Sequence, residues 1–285
     1  MQNSTKLQEW FGGIDIYLFD QLLKGRITPE MKVLDAGCGS GRNLVYFLRS
    51  GYEVFAVDES EEAIAQTRRL AGVLAPHLPE GNFRVGSVER LSADFADYAE
   101  WKSDGEESVN SRQHSANSSQ QTANSQAVQR GGQWSVISVQ LNHKTDKSHP
   151  PADAGGSDIP DCAGGTDRVA DSNGGFDVVL SSAVLHFARD EGQWQAMVNE
   201  MWRVLKPGGI FFARLASTIG IENQVRLLEG RRYHLPDGSD RFLVDEAMLR
   251  QVTAALGGEF IEPIKTTVVE NLRAMTTWVV RKGNS

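Results

Sequence analysis

The chain is poor in the features that define several broad classes of protein. Its 285 residues include two cysteines, Cys38 and Cys162, too few for a disulfide framework or a four-cysteine zinc site. No apolar run approaches the roughly 20 residues that span a bilayer, and residues 1–9 contain no apolar segment of the kind found in secretory signals. We therefore expect a cytoplasmic protein with no membrane partner and no metal site.

The chain also lacks an excess of basic residues. It carries 29 lysines and arginines against 37 aspartates and glutamates, which gives a formal net charge of −8. Binding to nucleic acid depends on basic side chains that neutralise phosphates, so no nucleic-acid partner is expected. The sequence carries no signal of the oligomeric state.

Apolar residues are scarce between residues 91 and 175, where serine, asparagine, glutamine, aspartate and glycine dominate. Such a segment cannot bury enough apolar surface to offset the entropy that ordering would cost. We therefore predict that residues 102–173 form a disordered, low-complexity insert within a single domain spanning residues 1–285. Half of the six histidines lie in this insert without the spacing of metal ligands: His114, His143 and His149.

A glycine-rich turn is the most informative feature that the chain does contain. Residues 33–43 read Val-Leu-Asp-Ala-Gly-Cys-Gly-Ser-Gly-Arg-Asn, so an apolar run ends at Asp35 and three glycines follow at alternate positions. Glycine permits positive φ and leaves no Cβ to hold a ligand away from the backbone. A helical pattern follows, and the start of a helix offers unpaired N–H groups. The pattern predicts a strand, a tight turn and a helix that together receive a nucleoside-type ligand.

The spacing of these glycines argues against a dinucleotide cofactor. The G-x-G-x-x-G fingerprint requires a third glycine at position 42 or 44, and these positions hold Arg42 and Leu44. Residues 52–58 alternate like a strand and end in Asp58, whose carboxylate can accept hydrogen bonds from both hydroxyls of a ribose. Because two acids flank a loop without lysine, a polyphosphate is poorly matched and a nucleoside with a positive centre is favoured. A nicotinamide-dependent oxidoreductase is the disfavoured alternative.

At these residues the chain resembles the class I S-adenosylmethionine-dependent methyltransferases. The resemblance rests on Val33–Gly41, on Asp58, on Phe176–His186, which is similar to the family's fourth strand, and on Trp202–Phe212, which is similar to its fifth. It covers most of residues 10–91 and 174–283. It implies an α/β fold with a doubly wound, Rossmann-like sheet of seven strands, mostly parallel with an antiparallel closing strand, and helices on both faces. It also implies S-adenosylmethionine as cofactor, bound at the carboxyl ends of the strands.

The resemblance further implies a set of cofactor-binding residues. The glycine backbone would line the methionine and ribose, Asp35 would order the loop or the amino group, and Asp58 would bind the ribose hydroxyls. Ser87 and Val88 would contact the adenine, and Glu89 is either a further contact or a surface residue. The predicted set is Asp35, Gly37, Cys38, Gly39, Gly41, Asp58, Ser87, Val88 and Ser181.

Four residues are candidates for the acceptor side of the site. His186 is either a general base for a hydroxyl, thiol or amine, or it packs over the cofactor or bonds to the backbone. Arg214 either holds an anionic group of the substrate or pairs with an acid of the chain. Tyr233 and Arg241 lie on a small hairpin flap predicted at residues 230–243 and are candidate substrate contacts.

Capping residues and turn signals place the remaining elements. Ser60, Asp190 and Asp245 each precede a helical pattern and are predicted N-caps. The predicted helices span residues 14–25, 61–75, 191–205 and 246–256, a turn follows at residues 206–209, and two closing strands span residues 261–269 and 275–281.

These expectations predict the S-adenosylmethionine-dependent transfer of a methyl group to a small-molecule acceptor. A small acceptor is favoured because no recognition domain is appended and the Asn-Pro-Pro-Tyr signature used on nucleic-acid amines is missing. The alternative is a catalytically silent module that binds S-adenosylmethionine and acts through protein partners, since the motifs report binding rather than turnover.

Overall fold

The structure is a computed structural model that describes residues 2–91 and 175–284. The predicted insert, residues 102–173, lies outside the described residues. The helices are α1 (Gln2–Phe11), α2 (Ile16–Leu23), α3 (Val45–Arg49), α4 (Glu61–Leu74), α5 (Glu191–Val204) and α6 (Glu246–Ala255). The strands are β1 (Lys32–Ala36), β2 (Glu53–Asp58), β3 (Phe83–Val85), β4 (Phe176–Ser182), β5 (Leu205–Ser217), β6 (Arg226–Glu229), β7 (Arg232–His234), β8 (Asp240–Phe242), β9 (Gly258–Phe260), β10 (Lys265–Val269) and β11 (Arg273–Lys282). None of these helices has both the length and the apolar character needed to cross a membrane.

One sheet organises the molecule, with its strands in the order β10–β11–β5–β4–β1–β2–β3. Strands β1 to β5 pair in parallel, whereas β11 runs antiparallel to its neighbours β5 and β10. The chain moves outward from β1 to β3 and then returns to β4 on the other side of β1. The predicted doubly wound sheet is therefore confirmed, and its switch point lies at the carboxyl ends of β1 and β4. The short strand β9 adds an eighth member by pairing with β11.

Side chains of the central strands alternate between two cores, one on each face of the sheet. From β1, Leu34 enters a core that also contains Trp194 of α5 and Leu249 of α6. Its neighbour Val33 enters the opposite core, which includes Phe47 of α3 and residues of α2 and α4. Parallel strands that are buried on both faces favour continuous apolar runs, which explains why Val54–Val57 of β2 are all buried, whereas the sequence analysis expected residues 52–58 to alternate. Helices cover both faces, as predicted.

Side-chain caps set where the helices begin. Ser60, Asp190 and Asp245 each accept a hydrogen bond from the backbone N–H three residues further on, at 3.2, 2.8 and 2.7 Å, so the three predicted N-caps are confirmed. Asp15, which the sequence pattern did not single out as a cap, accepts a hydrogen bond from the N–H of Tyr17 at 2.9 Å and starts α2. Each cap satisfies an N–H group that the first turn of a helix leaves unpaired.

Two predicted boundaries are wrong. The turn predicted at residues 206–209 does not separate helix from strand, because Leu205 already pairs with β4 and residues 206–209 form a bulge within β5. The strand predicted at residues 261–269 begins only at Lys265, since Pro263 has no N–H to contribute to a ladder. Both differences lie at the amino ends of their strands and leave the opposite edge of the sheet unchanged.

A second, three-stranded antiparallel sheet consists of β6, β7 and β8. Its strands β7 and β8 form the two arms of a hairpin within residues 230–243, where Tyr233 pairs with Arg241. Strand β6 extends the hairpin and was not predicted. Leu235 and Leu243 pack with Ala216 of β5, so this small sheet is anchored beside the carboxyl end of β5.

Candidate active site

The glycine turn after β1 has the backbone geometry that its sequence requires. Gly37, Gly39 and Gly41 all have positive φ, at 83°, 53° and 79°. The N–H groups of Gly37 and Cys38 both donate to the carbonyl oxygen of Val57, at 2.8 and 3.0 Å. These bonds fix the turn to the end of β2, so the loop and the second strand form one edge of the site.

Two of the glycines are closely packed against neighbouring side chains. A Cβ on Gly37 would lie 2.4 Å from Cγ2 of Val184, which is closer than carbon atoms approach one another. A Cβ on Gly41 would lie 3.1 Å from Oγ1 of Thr67 in α4. Gly39 differs, because no heavy atom lies within 4 Å of where its Cβ would stand. That open position is available to a ligand.

Asp58 links the turn to the next helix. Its Oδ2 accepts a hydrogen bond from the N–H of Gly39 at 2.8 Å, and its Oδ1 accepts one from the N–H of Ser60 at 2.9 Å. A carboxylate oxygen has two lone pairs, so each oxygen keeps one for a further donor. Asp58 can therefore bind a pair of adjacent hydroxyls while it holds the loop.

A cleft of about 510 Å³ opens at the carboxyl ends of the strands, at the switch point. Six of the predicted cofactor residues line it, namely Gly37, Cys38, Gly39, Asp58, Ser87 and Val88. The remaining lining residues are Ser40, Arg42, Asn43, Glu59, Glu89, Ser182, Ala183, Val184, Phe187, Ala188, Gln193 and Met197. The cleft thus brings together four segments of the chain: the turn after β1, the end of β2, the segment after β3 and the turn after β4.

Asp35 lies beneath the loop rather than in the wall of the cleft. Its side chain is 1% exposed, and neither carboxylate oxygen accepts a hydrogen bond from the described residues. Burial raises the pKa of Asp35 to about 7, with Arg42 opposing the rise and Asp58 adding to it. Burying a carboxyl group without a hydrogen-bond partner costs free energy. A cationic group bound next to Asp35 would reduce that cost. Its predicted role in ordering the loop remains a prediction.

Cys38 lines the cleft as a neutral thiol. Its Sγ lies 3.4 Å from the carbonyl oxygen of Gly39 and 3.8 Å from Oγ1 of Thr67. Burial raises the pKa of this thiol well above its usual range, and Asp35 adds to the rise. The Cys38 side chain therefore shapes the wall of the cleft and is not expected to act as a nucleophile.

The structure places Ser182, rather than the predicted Ser181, at the cleft. Successive side chains of a strand point to opposite faces, and the Ser181 hydroxyl is buried with no hydrogen-bond partner among the described residues. The Ser182 hydroxyl accepts a hydrogen bond from Arg42 at 3.1 Å. Ala183 then turns the chain with a φ of 64°, a strained value for a residue other than glycine.

His186 is held by the backbone, which is the second of its two predicted alternatives. Its Nδ1 accepts a hydrogen bond from the N–H of Ala216 at 3.3 Å, and the side chain is buried. Burial lowers the pKa of His186 to about 4, and Arg241 and Arg273 lower it further. A neutral imidazole whose Nδ1 is occupied is a poor general base near neutral pH.

Arg214 pairs with an acid of the chain, which is again the second alternative. Its guanidinium lies 3.2 Å from the Asp15 carboxylate and 4.9 Å from the centroid of the Tyr17 ring. The Tyr17 hydroxyl in turn lies 2.6 Å from Oγ1 of Thr267. These contacts tie α2 to β5 and β10, and Arg214 is not among the residues that line the cleft.

The two hairpin candidates differ in their position relative to the cleft. Tyr233 packs with the apolar residues that attach the small sheet to β5. The Arg241 guanidinium lies 4.8 Å from the centroid of the Phe187 ring, and Phe187 lines the cleft. Arg241 therefore lies at the rim of the cleft, where it contacts the lining residue Phe187 without lining the cleft itself.

One contact across the cleft escaped the sequence analysis. Gln193 of α5 donates from Nε2 to the Glu89 carboxylate at 2.6 Å, across a separation of 104 residues. Its Oε1 accepts a hydrogen bond from the N–H of Arg189 at 2.8 Å. The sequence offered Glu89 as either a cofactor contact or a surface residue, but no local pattern pairs it with Gln193, so only the folded chain shows that the two residues share the cleft.

Carboxylates outnumber cationic groups in the described wall of the cleft. Asp58, Glu59 and Glu89 line it, whereas Arg42 is the one cationic side chain among the described lining residues. No group of three or more histidine, cysteine, aspartate or glutamate side chains in the described parts of the chain is arranged to hold a metal ion. This charge balance favours a ligand with a positive centre.

Comparisons with solved structures show the same fold. A 1,6-didemethyltoxoflavin-N1-methyltransferase from Burkholderia thailandensis, with bound 1,6-didemethyltoxoflavin and S-adenosylhomocysteine, is 15% identical, with a TM-score of 0.51 over 98% of this chain and 86% of that one. A SAM-dependent methyltransferase from Methanosarcina mazei is 14% identical, with a TM-score of 0.51 over 93% and 98%. The PH0226 protein from Pyrococcus horikoshii OT3 is 16% identical, with a TM-score of 0.51 over 94% and 89%.

The family itself is shown by sequence. No curated protein matches the chain at a significant level. A family profile described as "Methyltransferase domain" matches residues 17–257, which is most of the chain. The chain therefore belongs to the methyltransferase-domain family and is a class I S-adenosylmethionine-dependent methyltransferase.

Proposed function

We propose that this protein binds S-adenosylmethionine in the cleft at residues 37–41 and 58 and transfers the methyl group to a small-molecule acceptor. The observation that carries the proposal is the pairing of Asp58 with the glycine turn. Its two oxygens hold the N–H groups of Gly39 and Ser60 at 2.8 and 2.9 Å and still have free lone pairs. A ribose presents two adjacent hydroxyls that match these positions.

The remaining contacts follow from the walls of the cleft. Gly39 leaves open space where a Cβ would stand, so the backbone can approach the cofactor closely. Ser87 and Val88 follow β3, whose last residue, Val85, pairs with Asp58. Both line the cleft, and we propose that they contact the adenine. The cofactor's positive sulfonium suits a wall in which Asp58, Glu59 and Glu89 outnumber the cationic groups.

When bound, S-adenosylmethionine would supply an activated methyl group: a bond from the acceptor's nucleophile to the methyl carbon would form as the carbon–sulfur bond breaks, and S-adenosylhomocysteine would leave. The chain's part is to position the two reactants and to exclude water. Val184, Phe187, Ala188 and Met197 provide an apolar side of the cleft for that purpose. We do not propose His186 as the base, because its Nδ1 lone pair accepts the N–H of Ala216 and burial lowers its pKa to about 4, which makes it only weakly basic.

Three observations support a small acceptor. The cleft volume of about 510 Å³ lies within the usual range of small-molecule sites. The net charge of −8 disfavours nucleic acid. The Burkholderia thailandensis methyltransferase of the same fold holds a small molecule, 1,6-didemethyltoxoflavin. Together these favour a metabolite-sized acceptor.

The test has a binding arm and a turnover arm. Isothermal titration with S-adenosylmethionine and with NADH should show binding of the first and none of the second. Incubation with S-adenosylmethionine and fractionated metabolite extracts should release S-adenosylhomocysteine, detected by mass spectrometry. The Asp58→Ala variant is the control for both arms, because it should lose binding and product together.

The outcomes separate the two candidate functions. Product in any extract supports methyl transfer. Tight binding of S-adenosylmethionine with no product across varied extracts would favour the catalytically silent module that acts through protein partners. A wild-type protein that binds neither cofactor would refute the proposal.

A further inference from the structure

A cation stands at the rim of the cleft. The Arg241 guanidinium lies 4.8 Å from the centroid of the Phe187 ring, and this ring lines the cleft while remaining 60% exposed. The buried His186 ring lies directly behind it, with ring centroids 4.6 Å apart. Strand β8 thus brings a positive charge to the place where the turn after β4 opens to solvent.

A second arginine, Arg273, begins β11, and the next residue, Ala274, pairs with Ser217 at the carboxyl end of β5. Ser217 also bridges to Val244, two residues after β8, so the segments that carry Arg273 and Arg241 flank the same end of β5.

Arg241 and Arg273 both act on His186, whose pKa is lowered first by burial and then by these two arginines. Both also act on Asp237, whose pKa is lowered mainly by a hydrogen bond from Ser239 and further by the arginines. The two guanidinium groups therefore lie within electrostatic range of the same two side chains.

Neither arginine forms a salt bridge with a carboxylate in the described parts of the chain. Asp237 accepts a hydrogen bond from the Ser239 hydroxyl at 2.6 Å, and Asp240 lies 2.7 Å from the His234 ring. Arg241 donates to the carbonyl oxygen of Asp240 at 2.8 Å. The region thus contains acids as well as arginines, and the two guanidinium groups are left without a direct carboxylate partner among the described residues.

Three other arginines outside the cleft do have a direct acid partner at 3.2 Å or less: Arg214 pairs with Asp15, Arg231 with Asp245, and Arg250 with Glu246. Arg241 differs from these three, because its guanidinium lies over an exposed aromatic ring and has no such partner among the described residues. It therefore offers a planar fork of N–H donors beside an apolar surface. Carboxylates and phosphates are the groups that such a fork recognises.

We infer, on the basis of the proposed function, that the methyl acceptor carries an anionic group, a carboxylate or a phosphate, which Arg241 and Arg273 bind at the rim. Phe187 packs against the body of that acceptor. The cleft is then divided by charge, with the acids at Asp58 and Glu89 facing the cationic cofactor and the arginines facing the anionic acceptor. This division places each reactant at its own end of the cleft.

The experiment uses three probes that share one ring system and differ in their polar group. Titration calorimetry at low salt, where ion pairing is least screened, measures the binding of 1-naphthoate, 1-naphthyl phosphate and neutral 1-naphthamide to the full chain saturated with S-adenosylhomocysteine. We expect at least one anion to bind about tenfold or more tightly than the amide, because a hydrogen bond to a charged group contributes about 1.5–3 kcal/mol. The better of the two anions identifies whether a carboxylate or a phosphate is preferred.

Arg241→Met should reduce that preference to about threefold or less. The matched control is Arg250→Met, since Arg250 also lies over a phenylalanine ring, 5.6 Å from the centroid of Phe260, but is paired with Glu246. The control should keep the preference of the wild-type protein. Thermal melting of each variant checks that the fold is retained.

Equal binding of the three probes to the wild-type chain, or a preference that survives in the Arg241→Met/Arg273→Met double variant, would overturn the inference. Binding of S-adenosylhomocysteine is measured first and alone. Its failure counts against the proposed function, whereas binding of S-adenosylhomocysteine without any anion preference counts only against the anionic acceptor. If S-adenosylhomocysteine does not bind, the three naphthyl probes are titrated into the free protein. Their relative affinities then still show whether the rim prefers an anion.

Discussion

The backbone N–H of Gly39 donates a hydrogen bond to the Asp58 carboxylate at 2.8 Å. The other oxygen of the same carboxylate accepts a hydrogen bond from the N–H of Ser60 at 2.9 Å. One side chain therefore joins the glycine turn, the end of β2 and the start of α4. Because Asp58 is also the proposed ribose ligand, the shape of the loop and the recognition of the cofactor depend on one residue.

Replacement of Asp58 should weaken cofactor binding more than it weakens the fold. Asp58→Ala removes the proposed ribose contacts and frees the N–H of Gly39, so we expect the Kd for S-adenosylhomocysteine to rise about ten- to hundredfold. Titration calorimetry measures the change. Glu61→Gln, an exposed acid in the first turn of α4, is the control and should bind as the wild-type protein does. An Asp58→Ala variant with unchanged affinity would contradict the assignment.

Alanine at Gly37 should destabilise the protein. The new Cβ would lie 2.4 Å from Val184 Cγ2 at a φ of 83°, so both overpacking and backbone strain oppose it, at a combined cost of about 2–4 kcal/mol. Gly72→Ala is the matched control, because Gly72 lies within α4 and no heavy atom is within 4 Å of its Cβ position. We expect that control to stabilise the helix by about 0.5–1 kcal/mol. Urea unfolding of both variants gives the comparison.

Alanine at Gly39 should separate binding from folding. Here the Cβ meets no heavy atom within 4 Å, so it stands in the cleft and competes with a ligand for space. We expect a smaller loss of stability than for Gly37→Ala, since only the positive φ opposes it, together with clearly weaker binding of S-adenosylhomocysteine. If the variant binds normally, the backbone at Gly39 does not contact the cofactor.

The ionisation of Asp35 should make the free protein less stable as the pH rises. Burial raises its pKa to about 7, whereas an unfolded aspartate titrates near pH 3.9. The folded state therefore binds the proton more tightly, and stability falls between about pH 4 and pH 7 as the buried group is forced to ionise. Asp35→Asn removes this dependence, so its melting temperature should change less across that range and exceed that of the wild-type protein at about pH 8. If the melting temperatures of the wild-type protein and the Asp35→Asn variant change with pH in the same way, the raised pKa of Asp35 is refuted.

His186 should affect stability and its pH dependence more than it affects the reaction. Burial lowers its pKa to about 4, and Arg241 and Arg273 contribute further, whereas an unfolded histidine titrates near pH 6.5. The unfolded state thus binds the extra proton, and the contribution of His186 to stability is lost as the pH falls from about 6.5 to about 4. His186→Gln should flatten that part of the stability curve, measured by urea unfolding.

The same variant tests the role of His186 in catalysis. Loss of a general base costs about 10²- to 10⁴-fold in rate, so a rate within about tenfold of wild type, in the assay with metabolite extract, is expected for a residue that only supports the structure. A larger loss, together with a change in the pH dependence of the rate near neutral pH, would restore the general-base interpretation.

Residues 102–173 are predicted from composition to contribute little to the core. Replacement of this segment by a short glycine-serine linker should leave the Kd for S-adenosylmethionine within about threefold, because loop closure changes only slowly with length. Calorimetry on the shortened chain measures the affinity. A shortened chain that is insoluble or unfolded would contradict the prediction of a disordered insert.

Local features of the sequence predicted much of this structure. The N-caps at Ser60, Asp190 and Asp245 depend on residues only three positions away, and the glycine turn depends on which residues tolerate positive φ. Short-range steric and hydrogen-bonding rules suffice for such features. The doubly wound, mostly parallel sheet also followed, because it came with the resemblance to a known family.

The errors have a different physical origin. Ser181 and Ser182 are neighbours of the same type, and only the packing of β4 between β1 and β5 decides which one faces the cleft. Arg214 is a different case, because the sequence left both a substrate role and an ion pair open, and the position of Asp15 in the folded chain supplies the ion pair. Side chains that are distant in sequence cannot be paired by local rules.

The amino-acid sequence by itself indicated the family and its mostly parallel sheet, through the resemblance carried by residues 33–41, 58, 176–186 and 202–212, and it located the glycine turn, through residues that permit positive φ. Only the tertiary structure decided which side chains share the cleft. It placed Gln193 against Glu89, Arg241 against Phe187, and His186 behind the wall of the cleft, bonded to the backbone. Those contacts join segments that are far apart in the chain, so they form only when the sheet and the helices pack together.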